Sequence, residues 1–186
     1  NAEVDINTTI TDGPFKGHTS LHFATGLGYI NIVKALIKAG ANVNMTSDDG
    51  WTPLYWALVN GHVTVVNLLL NAGAKVSPKN NTIQTFININ LSNQKQDIFE
   101  ALDKHILTPK DKDLFTKHIE DNPILVFAKN ECGNTPLHIT ARHGHSDIIK
   151  ALEKANANMT AKNNKGYTPL QEATIHEKIE TIKYLT

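Results

Sequence analysis

Apolar positions recur along the chain in a fixed order. From Thr52 the sequence runs TPLYWALVNGHVTVVNLLLNAGA, and Leu54, Ala57 and Leu58 fall at helical spacing. Thr52 is a residue type that caps helix N-termini, and Pro53 stands in the first turn, where a missing N–H loses no hydrogen bond. Gly61-His62 interrupts the pattern. Val65, Val66, Leu68, Leu69 and Leu70 then make a second, broader apolar face, and Gly73 stands at the expected stop. A polar stretch, SPKNN, leads onward. Two helices of roughly eight to ten residues cannot cover each other's apolar faces, so such a unit must stack on neighbours.

The neighbours are present. At a shift of 33 residues, GHTSLHFATGLGYINIVKALIKAGANVN (17–44) aligns without gaps to GWTPLYWALVNGHVTVVNLLLNAGAKVS (50–77). GNTPLHITARHGHSDIIKALEKANANMT (133–160) aligns to both, and GYTPLQEATIHEKIETIKYL (166–185) begins a further copy. A period of this length marks stacked supersecondary units. The expected fold is all-α: a solenoid of helix–turn–helix units with short hairpin-loop fingers. About five units at roughly 8–10 Å each would give an elongated, curved body.

The 33-residue period, the G-x-T-P-L-H-x-A opening, the G-H between helices and the G-A-x-V-N ending resemble the ankyrin repeat family. Thr52, Pro53, Leu54, Gly61, His62, Gly73 and Ala74 carry the resemblance in one copy. Thr135, Pro136, Leu137, His138, Gly144 and His145 carry it in another. The resulting division treats 1–186 as a single repeat domain. Within it, 1–16 is the tail of a preceding repeat, 17–49 and 50–82 are repeats, 83–132 is a degenerate repeat, 133–165 is a repeat and 166–186 is a truncated one. NAEVD at the start matches GANVN at 40–44, and Ile182 and Leu185 lie in a second helix without a polar cap. These features are expected of a piece of a longer protein.

The degenerate repeat keeps its apolar positions at Ile87, Leu91, Ile98, Phe99 and Leu102. Phe86 replaces the proline, Asn90 the small alanine and Gln94 the inter-helix glycine. From 83 to 133 is 50 positions, 17 beyond one 33-residue period, and the excess falls on LTPKDKDLFTKHIEDNP. Thr108 as cap, Pro109 in the first turn and Asp111 near it predict an inserted helix over 108–122. Leu114, Phe115 and Ile119 form its apolar stripe, and Asn122-Pro123 ends it. An irregular loop of equal length is the alternative.

Composition narrows the function. Lys+Arg and Asp+Glu are both 18, for a formal net charge of zero, and aromatic residues make up 6%. Neither a basic surplus nor a stacking platform for nucleic acid is present. One cysteine, Cys132, forms no internal disulfide. No apolar run reaches membrane-spanning length, and the start lacks the layout of a secretion signal. Asn7, Asn44, Asn90 and Asn158 fit the glycosylation pattern, which asparagine-rich sequence produces by chance. The expectation is an intracellular, cytoplasmic, monomeric protein without membrane insertion. Abundant asparagine and lysine over arginine suit an AT-rich genome, as in ankyrin proteins of intracellular bacteria, some of them effectors delivered to the host-cell cytoplasm.

CGNTPLHITARHGH (132–145) gathers three histidines and the cysteine, the residue types of a nucleophile with its base or of a metal site. Its register argues otherwise. His138 corresponds to His22, with Tyr55 and Gln171 in other copies, and His145 corresponds to His62, with Tyr29 and Lys178. The resemblance implies that the first of these positions ties neighbouring repeats by hydrogen bonds. Only His143 lacks a counterpart scaffold role, and Cys132 aligns with Lys16, Asp49 and Lys165. No catalytic residue, metal ligand or cofactor is therefore expected.

The resemblance implies protein binding through finger tips and the concave side of the first helices. Carried over by position, this selects Phe15, Lys16, His18 and Leu27, then Asp48, Asp49, Trp51 and Asn60. Cys132, Asn134, Arg142 and His143 follow in the fourth copy, and Lys165, Tyr167 and His176 in the fifth. Trp51, Tyr167 and Arg142 (the chain's one arginine) are of the types that dominate interfaces. Trp51 packing on a neighbouring loop is the competing reading. Phe23 and Trp56 are expected to pack between helices, and the inserted helix offers a second surface. Alternatively, the chain is the recruiting segment of a larger enzyme. Asn44, in ALIKAGANVN, also resembles substrates of asparaginyl hydroxylases.

Overall fold

The computed structural model describes residues 5–76, 82–104 and 107–186. The first four residues of NAEVD, the SPKNN connection and His105 lie outside the described residues. Among those described, the secondary structure is eleven α-helices and one 3-10 helix, without strands. They form two compact units, 1–82 and 83–186.

In the first unit, α1 (Ser20–Gly26) and α2 (Ile30–Lys38) make one repeat, and α3 (Pro53–Val59) and α4 (Val63–Asn71) the next. First helix packs on first helix and second on second, α1 against α3 and α2 against α4. The predicted apolar positions fill the interior: Leu21, Val33, Leu54, Ala57, Val65, Val66 and Leu69 are buried. Gly17 sits at φ +79°, and a side chain there would collide with Asp48 of the next finger. Gly133 repeats this arrangement against Asn164. Glycine is thus required twice over at this position, for its backbone angle and for the approach of the following repeat.

The second unit opens with α5 (Thr82–Asn90) and α6 (Ser92–Leu102), the degenerate repeat. Ile87, Leu91, Ile98 and Leu102 are buried as expected, and Phe99 is half-buried. Where the first, second and fourth copies place a positive-φ glycine between helices, and the fifth places Glu177 at φ +55°, Gln94 stays helical, so α6 begins directly after Leu91. The inserted helix is α7 (Pro109–Asp121). Thr108 caps it, its Oγ1 accepting from the Asp111 N–H at 3.2 Å while the Asp111 carboxylate accepts from the Thr108 N–H at 3.0 Å. Hydrogen bonds from Lys104 and then from Thr108 lower the Asp111 carboxyl to about 2. Phe115 and Ile119 are buried, but Leu114, expected in the stripe, is exposed. One residue is 100° of helix rotation, enough to carry Leu114 off the docked face.

After α7 the chain forms a 3-10 turn over Pro123–Phe127, whose Ile124, Leu125 and Val126 are buried. Gln84 of α5 fastens this region, its Nε2 donating to Phe127 O and its Oε1 accepting from the Lys129 N–H. Neither feature was expected. The repeats α8 (Pro136–His143) with α9 (Ser146–Lys154), and α10 (Pro169–Ile175) with α11 (Ile179–Leu185), complete the unit, α8 packing on α10 and α9 on α11.

Candidate functional site

The surface begins with two histidines that are not part of it. His22 Nδ1 accepts from the Thr19 N–H at 3.1 Å, which leaves the proton on Nε2, donated to Trp51 O at 3.1 Å. His138 does the same, accepting from the Thr135 N–H at 3.2 Å and donating to Tyr167 O at 3.0 Å. Each ties the start of its own first helix to the next repeat, as the resemblance implies. Each also fixes the backbone of an aromatic residue of the candidate surface. Both rings are buried, and desolvation lowers their pKa values below 6.5. His62 and His145 form the second set, donating through Nε2 to Gly26 O and Lys104 O, each at 3.1 Å.

The finger turns repeat as well. Ser47, Asn130 and Asn163 each accept a backbone bond from the residue four positions on, through Ser47 Oγ from Trp51, Asn130 Oδ1 from Asn134 and Asn163 Oδ1 from Tyr167. These side chains replace ladder bonds in a short turn. They escaped the sequence reading, although Ser or Asn recurs at one register. Adjacent finger tips join through Asp48 N–H to Lys16 O and Asn164 N–H to Cys132 O.

Upon this frame the selected residues separate. Phe15 is 47% exposed, Leu27 58%, Trp51 37% and Tyr167 39%. Lys16, Asp48, Asp49, Asn60, Cys132, Lys165 and His176 are also exposed. Trp51 stacks on Tyr55 at 4.0 Å, so its packing partner lies in its own repeat and its outer side remains open. Phe23 and Trp56 are half-buried.

Two assignments are corrected. His18 is only 4% exposed and Asn134 only 2%. His18 donates through Nδ1 to Phe15 O at 3.0 Å, and Asn134 Oδ1 accepts from Asn163 Nδ2 at 2.8 Å. Both share the register of Trp51 and Tyr167, but their compact polar side chains find partners inside the finger. His143 is half-buried, 3.6 Å from Asp103 and stacked on His145, so it too is engaged within the fold.

Arg142 is likewise engaged. Its Nε donates at 3.1 Å to the buried carboxylate of Glu172, which also accepts from Asn163 Nδ2 at 2.9 Å. Arg142→Ala leaves that carboxylate without its counter-charge and should cost about 2–3 kcal/mol, read as a lower midpoint in urea unfolding. Glu172→Gln in the Arg142→Ala background should recover part of the loss. No recovery would show that the carboxylate's charge is not the cause.

Among the described residues no three His, Cys, Asp or Glu side chains converge to hold a metal. No described helix is long and apolar enough to cross a membrane.

Repeated helix pairs, histidine ties between copies and finger turns define a class of stacked-repeat protein. A family model described as ankyrin repeats, three copies, matches residues 2–80 and 90–186, and the chain belongs to the ankyrin repeat family. Ankyrin repeats generally serve as protein–protein interaction modules and are typically non-catalytic. An ankyrin repeat protein of Rickettsia bellii is 31% identical over 102 residues, 53% of this chain and 61% of its own length. A cation-channel subfamily A member 1 homologue of the transient receptor potential class, from Caenorhabditis elegans, is 43% identical over 61 residues, 33% of this chain and 5% of its own length. Oxysterol-binding protein-related protein 1 of Mus musculus is 38% identical over 169 residues, 84% of this chain and 18% of its own length. The chain thus spans less than two thirds of each of these relatives.

Proposed function

We propose that this chain is a protein-binding module without chemistry of its own, docking a partner through its fingers and first-helix face. The carrying observation is that Phe15, Leu27, Trp51 and Tyr167 stand exposed on a scaffold whose repeated residues are consumed by packing and hydrogen bonds. Lys16, Asp48, Asp49 and Asn60 add polar contacts in the first unit, and Lys165 and His176 in the second. Exposed aromatic side chains are the strongest anchors of protein interfaces. In this reading the module acts as one repeat domain over 1–186, as a monomer inside cells, and as a bacterial protein working in host cytoplasm, an origin matched by the Rickettsia relative's organism alone.

The test is the triple change Phe15→Ala, Trp51→Ala and Tyr167→Ala. Arg142 is left intact, because its loss would lower stability through the Glu172 pair. Affinity for a captured partner should fall about tenfold or more while the thermal midpoint moves little. Unchanged affinity would exclude this surface.

A second reading is favoured by one relative. The serine/threonine-protein kinase VIK of Arabidopsis thaliana matches over 69 residues, 16% of its length, at 35% identity. A kinase can therefore carry a segment like this one, and the chain would then recruit substrates for a catalytic part elsewhere. A complete reading frame without a catalytic domain would rule that out.

A further inference from the structure

His18 presents an anomaly in the first unit. Its Nδ1–H is used on Phe15 O, so Nε2 of the neutral ring carries a lone pair. That nitrogen is buried and has no hydrogen-bond partner. Around the His18 ring stand those of His22, Phe15, Phe23 and Trp56, with centroids 5.1, 5.7, 5.7 and 5.6 Å from its own. The Trp56 Nε1–H is also buried without a partner. An unused acceptor among aromatic faces is costly in a folded protein unless something completes it. The cover is Phe15, which is 47% exposed and touches Phe23 edge-on at 5.3 Å.

Charge beside this cluster has one sign to spare. The Asp48 N–H bonds to Lys16 O, seating the Asp48–Asp49 finger next to the residue that follows Phe15. Lys16 Nζ lies 3.3 Å from the Asp48 carboxylate, with both side chains more than half exposed. An exposed pair of this kind contributes little stability and exchanges readily for another cation. Asp49, the next residue in the chain, is exposed.

We infer that Phe15, Phe23 and Trp56, set around His18 and flanked by Asp48 and Asp49, form a recess for a basic side chain of an extended partner peptide. The inference rests on the docking function proposed above and names the chemistry of its ligand. The aromatic faces attract the cation. One of its N–H groups completes His18 Nε2 once Phe15 swings aside, the carboxylates balance its charge, and a peptide carbonyl accepts from Trp56 Nε1. Arginine suits the site better than lysine, since a planar guanidinium both stacks and donates.

The test uses the full chain with Trp51→Phe, which leaves Trp56 as the sole tryptophan. The probes are heptapeptide pools with randomised flanks and a fixed central Arg, Lys, Leu or Glu, followed by Trp56 fluorescence. Arg and Lys pools should bind about tenfold more tightly than Leu or Glu pools and weaken with added salt. Phe15→Ala and Asp48→Asn should each remove most of that preference without unfolding the protein. Leu pools binding as tightly as Arg pools would overturn the basic chemistry while leaving the docking surface standing. No response of Trp56 to any pool would overturn the recess, and the finger variants would still judge the docking function separately.

Discussion

Replacing Phe115 by alanine should lower stability by about 3–5 kcal/mol, the usual cost of emptying a fully buried aromatic site. Phe115 is completely buried in the docked face of the inserted helix. Its loss leaves Ile119 as the main apolar contact from α7, and α7 packs on α6 and on the 3-10 turn that follows. Urea unfolding should show the lower midpoint, and hydrogen exchange should place the greatest loss of protection in α7 and Pro123–Phe127. Leu114→Ala on the same helix is the control. Its side chain is exposed, so it should change stability by no more than about 0.5 kcal/mol. Equal effects from the two substitutions would contradict the docking of this helix.

The second large effect belongs to His138. Alanine there strands the Thr135 N–H and removes one of two bonds to the Tyr167 carbonyl, which keeps the Asn163 N–H, and one buried unpaired group costs about 1–3 kcal/mol. Burial of this ring also makes stability depend on pH. Burial lowers the pKa values of His22, His138 and His145 from 6.5 in the fold, so the unfolded chain takes up protons first as pH falls. The contribution is full above 6.5 and is lost as pH falls through the lower folded values. Thermal midpoints should therefore decline from pH 7 toward pH 5. His138→Gln should flatten part of that decline, because it removes a titrating ring while glutamine, as Gln171 shows, still accepts from the capping threonine N–H. A decline of unchanged steepness in the glutamine variant would exclude His138 as a source.

What the sequence made legible was whatever each repeat does alone. The Thr-Pro helix starts, the apolar faces and the Thr108 cap depend on residues a few positions apart, and the structure forms them as expected. The fates of His18 and Asn134 depend on side chains elsewhere, on the ring cluster and on Asn163 respectively. Position in the repeat could not reveal that, since Trp51 and Tyr167 share it and remain outside. Gln84 and the 3-10 turn were hidden for a related reason: their partners lie more than 40 residues apart, in a stretch that departs from the repeat. The opposite error affected Arg142. A lone arginine at a variable position looks available, and only Glu172, 30 residues on, shows that it is engaged.

The central claim, that a partner docks on the fingers and first helices, is tested most directly by position-specific photo-crosslinking. A crosslinking residue is placed at Phe15, Trp51 or Tyr167, and in parallel at Lys34 or Lys150, which are exposed on second helices. One shared partner should be crosslinked from the first three positions and be absent from the other two. Crosslinks concentrated at Lys34 and Lys150, with none from the aromatic positions, would contradict it.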